Sequence, residues 1–191
     1  MENKGKTRLE QAVAFALEAH GGAKRKGKER PYILHPLEVL TIVAGLTEDE
    51  DVQIGAVLHD TVEDTGTSVD EIRTLFGERV ASLVSSESED KSKNWEERKK
   101  TTIDHLKKES REVKLICLGD KLSNIREIGR DFKLIGDEIW KKFNQKDKKK
   151  HAWYYGSICR LLKEEFGSIP EIREYVERME EIFGSDWEEL L

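Results

Sequence analysis

Apolar residues recur at three- and four-residue spacing along almost the whole chain, and this periodicity constrains the fold more than any other feature. Five segments open with Ser or Thr followed three residues later by Glu: Thr7/Glu10, Thr47/Glu50, Ser68/Glu71, Ser168/Glu171 and Ser185/Glu188. In that spacing the hydroxyl and the carboxylate can satisfy amides left unpaired in the first helical turn. Glycines at 21, 45, 77, 129, 167 and 184 fall where such helices should stop. The pattern predicts helices near 7–20, 36–45, 49–62, 68–75, 78–86, 95–108, 111–128, 132–142, 147–166, 170–183 and 186–190. The first would bury Leu9, Val13, Ala16 and Leu17 on one stripe. Residues 86–94 (SESEDKSKN) and 144–150 (NQKDKKK) read as loops, and YIL at 32–34 as a short extended stretch. The expected fold class is all-α.

A length of 191 residues suits one domain. No stretch approaches the ~18 apolar residues of a membrane span, and MENKGKTRLE lacks the apolar core of a secretory signal. Cys117 and Cys159 are too few for a disulfide framework and lack zinc-thiolate spacing, so a cytoplasmic location is expected. Net charge is −6, from 33 Lys+Arg against 39 Asp+Glu, which argues against a nucleic-acid polymer as partner.

The charge is unevenly placed. Lys24–Arg30 reads KRKGKER, with five bases and one acid, whereas Lys163–Leu191 holds ten acids and three bases. The plain reading is a solvated basic loop and a solvated acidic tail. The alternative is a basic loop that meets a polyanionic small molecule.

Three placements put polar groups where apolar ones belong. In DVQIGAVLHDTVEDT an apolar run ends in His59-Asp60, with Glu63-Asp64 one turn later. On a continuous helix these groups face one another, and clustered carboxylates need a cation or neutralisation. The spacing fits metal binding and fits equally a helix C-terminus with solvated acids. In REVKLICLGDKLSNIREIG, Val113, Cys117, Asp120 and Asn124 share a face, so Asp120 interrupts a stripe that should be buried. A buried carboxylate must be paired or bound to a metal. His35 precedes Pro36, which suits the first turn of a helix and puts His35 at the N-cap. His35, His59, Asp60 and Asp120 together form a two-His, two-Asp set, suited to one divalent cation such as Mn²⁺, Fe²⁺ or Zn²⁺. His20, at the end of the first helix, reads as a partner of its last carbonyls, His105 and His151 as surface residues, and neither cysteine as a nucleophile.

The segments HPL at 35–37, LHDTVEDT at 58–65, FG at 76–77 and GDKLSN at 119–124 resemble the HD-domain hydrolases of the RelA/SpoT type. The likeness covers most of residues 7–166 and is strongest to the small stand-alone alarmone hydrolases, which lack a synthetase domain. It implies a single HD domain over 1–191, a helical bundle around one metal, usually Mn²⁺, with the acidic helices of 168–191 beyond the motif-bearing core. The implied reaction removes the 3′-pyrophosphate of ppGpp or pppGpp to give GDP or GTP and pyrophosphate.

Position by position, the resemblance makes His35, His59, Asp60 and Asp120 the metal ligands, and Glu63 and Asp64 the pair that positions and deprotonates the attacking water. Asn124 matches a substrate or water contact. Arg25 and Lys26 match a nucleotide-binding loop, with Lys24 and Lys121 as further cations for the phosphates. The chain departs from the family where GDKLSN stands for a common ADRLHN, and Tyr154, Tyr155 and Lys150 are further candidates for the pocket. Two readings compete: the same metal site acting on another phosphorylated nucleotide (an adenine alarmone or NADPH), and a silent nucleotide-binding module. A homo-oligomer stays open.

Overall fold

The computed structural model describes residues 5–85 and 93–191, so most of the loop expected at 86–94 lies outside the described residues. Among the described residues, regular structure is helical apart from one isolated antiparallel bridge between Lys24 and Pro31. No described helix is long and apolar enough to cross a membrane. The helices are α1 (Arg8–Ala19), α2 (Leu34–Ala44), α3 (Glu50–Leu58), α4 (Thr61–Asp64), α5 (Val69–Phe76) and α6 (Glu78–Ser85). They continue with α7 (Trp95–Leu106), α8 (Arg111–Ile135), α9 (Lys148–Phe166) and α10 (Pro170–Phe183). Two 3₁₀ segments, Gly136–Lys142 and Trp187–Leu190, complete the set.

The caps show how local chemistry sets these boundaries. Thr7 and Glu10 form the full reciprocal box, and Ser68 accepts the Glu71 amide. At α3 the cap is Asp49 rather than Thr47; Asp49 is also held by Arg79 at 2.6 Å, and the Thr47 hydroxyl accepts the Asp49 amide instead. The last two expected boxes do not form: α10 starts after Ile169 with Pro170 in its first turn, and the final 3₁₀ turn lacks a side-chain cap. Asn94 and Glu97 make a box that Ser/Thr spacing does not reveal. YIL is a turn leading into α2, not extended chain. Gly129 does not stop α8, which continues to Gly136, where φ is +56°.

The chain divides into two compact units. The first holds α1–α6 and the Leu115–Asp120 stretch of α8. At its centre α3 meets α1, α2 and α6, so its residues from Ile54 to Leu58 are all buried. Gly55 permits this crowding: a Cβ there would lie 2.9 Å from Ile116 Cδ1 and 3.3 Å from Leu83 Cβ. Helix α1 turns Ala12 and Ala16 inward and leaves Leu17 49% exposed, a rotated version of the expected stripe.

The second unit holds α7, the remainder of α8, α9, α10 and both 3₁₀ segments. Helix α9 packs on α7, α10 and the Trp187 segment. The acids of α10 are partly matched by bases of α8: Glu174 pairs with Arg126 and Glu181 with Lys133, each at 2.6 Å. His151 is buried here, stacked on Trp140 at 4.9 Å, rather than on the surface.

Candidate active site

The first unit gathers the unusual polar residues at the ends of its helices. Tyr32 and Ile33 form a turn, and the His35 amide donates to the Tyr32 carbonyl at 2.9 Å. His35 therefore lies within the first turn of α2, one residue past its start, rather than at the N-cap. Pro36 follows in that turn, where a missing N–H costs nothing. Helix α3 ends at Leu58, so the helix expected over 49–62 is broken at His59-Asp60. The buried Thr61 hydroxyl donates to the Leu58 carbonyl at 2.6 Å, satisfying an acceptor that the break would strand. Glu63 and Asp64 then sit on the short α4. On α8, Val113, Cys117 and Asp120 are buried as their shared face predicts.

These breaks converge four side chains. His35 Nε2 lies 3.2 Å from Asp120 Oδ1 and 3.5 Å from Asp60 Oδ2. His59 Nε2 lies 3.0 Å from Asp60 Oδ2 and 3.8 Å from Asp120 Oδ1. His35, His59 and Asp120 are buried, with ligand-type atoms within 4.8 Å of one another, and could hold a divalent metal ion. The Asp60 side chain is 19% exposed.

His59 supplies the best test of fit. Its Nδ1 lies 2.9 Å from the Ala56 carbonyl, which can only accept, so Nδ1 carries the hydrogen. In the neutral ring Nε2 then has a lone pair, and this buried atom makes no aligned hydrogen bond. A backbone-anchored imidazole with its other nitrogen among carboxylates is the usual arrangement of a metal-ligating histidine. Without a metal, burial disfavours the imidazolium, but the Asp60 and Asp120 carboxylates outweigh it and raise His59 to about 9. Burial likewise opposes ionisation of Asp60, and the His59 charge reverses this, holding it well below the usual carboxylate range. The cluster thus attracts positive charge, and its nitrogen and oxygen donors fit a divalent cation.

Tyr32 links this cluster to its surroundings. Its hydroxyl lies 2.6 Å from Asp60 Oδ2 and 2.9 Å from Asp64 Oδ2. Burial, then the two carboxylates, push the phenol far above its ordinary value. The ring rests against His20 at 4.9 Å, and the Arg25 guanidinium carbon lies 5.4 Å from its centre. Arg25 belongs to the basic loop, which the Lys24–Pro31 bridge closes and whose turn uses Gly27 at φ +71°. Lys24 pairs with Glu29, and Lys26 is exposed.

The structure therefore brings His35, His59, Asp60 and Asp120 together, with Asp64 and Arg25 joined to them through Tyr32. Glu63 is half-buried on α4. Lys121 and Asn124 belong to the second unit, where Lys121 Nζ lies 5.7 Å from the centre of the Tyr154 ring. Tyr154 and Tyr155 are buried in that unit, and Lys150 pairs with Glu96 at 2.8 Å. Sequence reasoning missed Tyr32 as a site residue, although its place between the basic loop and His35 was a usable signal. It also missed the burial of His20, whose Nε2 has no hydrogen-bond partner. Both cysteines are buried, and burial pushes the Cys159 thiol up to about 12, which disfavours its thiolate.

The HD domain family model matches residues 12–147. A zebrafish (Danio rerio) protein named guanosine-3′,5′-bis(diphosphate) 3′-pyrophosphohydrolase MESH1 is 40% identical over 125 residues, covering 64% of this chain and 69% of that protein. The human (Homo sapiens) protein of the same name is 40% identical over 126 residues, covering 64% and 70%. A solved structure described as a metazoan ortholog of SpoT that hydrolyzes ppGpp superposes with a TM-score of 0.74 at 28% identity, covering 94% of this chain and 97% of that one. The chain therefore belongs to the HD domain family, in its RelA/SpoT-type branch.

Proposed function

We propose that this chain is a metal-dependent (p)ppGpp 3′-pyrophosphohydrolase that returns GDP or GTP and pyrophosphate. The observation that carries the reading is the convergence of buried His35, His59 and Asp120 with the partly exposed Asp60, His59 Nε2 being turned among the carboxylates. These four residues would hold the metal, and imidazole with carboxylate donors suits Mn²⁺ well, with Fe²⁺ or Zn²⁺ as substitutes. A bound divalent cation supplies a water made acidic, its pKa drawn from ~15.7 towards about 7.

The chain's own residues do the rest. Glu63 and Asp64, one turn beyond Asp60, orient the attacking water and accept its proton. The water oxygen ends on the released pyrophosphate, and the ribose 3′-oxygen leaves as a hydroxyl. The substrate brings several negative charges to an acidic centre, so cations must accompany it. Arg25 offers a planar fork suited to phosphate, and Lys24 and Lys26 add point charges from the same loop. Lys121 and Asn124 complete the proposed substrate contacts. The family model draws on both compact units, which supports treating 1–191 as one working HD hydrolase domain. A cytoplasmic setting suits a nucleotide substrate and a chain with only two cysteines.

The test is to incubate the purified chain and Mn²⁺ with ppGpp, an adenine alarmone and NADPH in parallel. Pyrophosphate and GDP from ppGpp are expected. No ppGpp turnover, or inorganic phosphate from NADPH alone, would overturn the assignment.

A further inference from the structure

The hydroxyl of Tyr32 stands between two carboxylates that have different tasks in the proposed reaction. Its distances are 2.6 Å to Asp60 Oδ2 and 2.9 Å to Asp64 Oδ2. The Asp60 oxygen is the one that faces His59 Nε2 at 3.0 Å and His35 Nε2 at 3.5 Å. A tyrosine serving only to fill space or cap a backbone group would not span a ligand and a proton acceptor. A phenol has one hydrogen, and two ionised carboxylates can only accept, so the hydroxyl donates to one of them at a time.

The backbone and ring of Tyr32 are equally constrained. Its amide donates to the Ala23 carbonyl at 2.9 Å, which pins it to the base of the basic loop. The ring lies between His20, at 4.9 Å, and the Arg25 guanidinium, at 5.4 Å, and meets the His35 ring edge-on at 6.0 Å. His35, Asp60, Asp64 and Arg25 each touch one residue that is itself neither ligand nor base.

We infer that Tyr32 is a positioning residue, which holds Asp60 and Asp64 at a set separation and ties the basic loop to the metal-ligand cluster. The inference rests on the metal centre proposed above. With Asp60 among the residues that would hold a cation, the single phenolic hydrogen would be left for Asp64, so the hydroxyl would hold the proton acceptor.

Tyr32→Phe tests this, because it keeps the ring against His20 and Arg25 and removes only the hydroxyl. Mn²⁺ affinity is measured calorimetrically without nucleotide, and kcat and KM for ppGpp are measured separately. Groups that orient metal ligands typically account for about 10–100-fold in affinity or activity. The expected result is Mn²⁺ binding weakened about tenfold and kcat lowered by a similar factor, with KM nearly unchanged. Tyr32→Leu, which also removes the face beneath Arg25, should raise KM in addition. Wild-type Mn²⁺ affinity together with wild-type kcat in Tyr32→Phe would overturn the inference. Because the calorimetric arm uses no nucleotide, it decides the role of Tyr32 at the metal centre even if ppGpp proves to be the wrong substrate.

Discussion

Gly119 lies so close to α2 that a Cβ on it would fall 2.9 Å from Val43 Cγ2. The same atom would stand 3.1 Å from Val39 Cγ1 and 3.3 Å from the Val39 carbonyl. Valines in a helix have essentially one χ1 rotamer, so neither can swing aside. Gly119 immediately precedes Asp120, and the absence of its side chain lets that carboxylate approach His35 on α2. Gly119→Ala should therefore destabilise the fold by about 1–3 kcal/mol through overpacking. It should also weaken Mn²⁺ binding as Asp120 is pushed outward. Thermal denaturation with and without the metal reads both effects.

Ligand removal has a separate signature. A cation that binds only the folded chain raises its stability by about 2.7 kcal/mol at a hundredfold excess over Kd. Adding Mn²⁺ should raise the melting temperature of the wild type, and a chelator should reverse the rise and abolish turnover. Asp120→Ala should lose both the metal-induced shift and the activity. Full activity in that variant would show the site to be elsewhere.

Glu63→Gln separates binding from chemistry. The amide is nearly the same size but accepts no proton at neutral pH, and general bases typically contribute 10²–10⁴-fold, so kcat should fall by about that factor. The Mn²⁺-induced stabilisation should persist. Normal turnover would remove Glu63 from the role of base and leave Asp64 as the candidate.

His151 of the second unit should contribute a loss of stability in mild acid, opposed by His59, whose raised pKa acts with the opposite sign. Burial holds His151 below its ordinary pKa, against smaller opposing effects from the Gln145 carbonyl and Asp147. The unfolded chain, titrating near ~6.5, takes up this proton first. It then binds more protons than the folded chain, so stability declines as pH drops below about 6.5, until the folded group's lower pKa is passed. His20, lowered mainly by burial, acts with the same sign. Urea unfolding of the wild type and of His151→Gln between about pH 7.5 and about pH 5 isolates this contribution, and the variant should lose less stability, or gain more, on acidification than the wild type.

Much of the fold was legible because helix formation is largely local. Spacing of apolar residues and the Thr7/Glu10 box specify α1 before any tertiary contact is known. Three of the four converging residues were legible for a related reason: His59 and Asp60 end an apolar run, and Asp120 interrupts an apolar stripe. Where local rules failed, a distant partner decided. Gly129 reads as a stop, yet α8 continues through it, with Arg178 and Ile182 of α10 3.7 Å from where its Cβ would be. The expected 49–62 helix breaks after Leu58, where His59 Nε2 faces Asp120 of α8 at 3.8 Å.

The sequence by itself determined a helical fold class, a two-His, two-Asp set and a basic loop, since periodicity, capping and residue chemistry are properties of short segments. Only the tertiary structure decided how those pieces meet. It turned His59 Nε2 among two carboxylates, matched acids of α10 with bases of α8, and placed Tyr32 between Asp60, Asp64 and Arg25. Those relations join residues far apart in the chain, and their geometry is set by packing that no local pattern encodes.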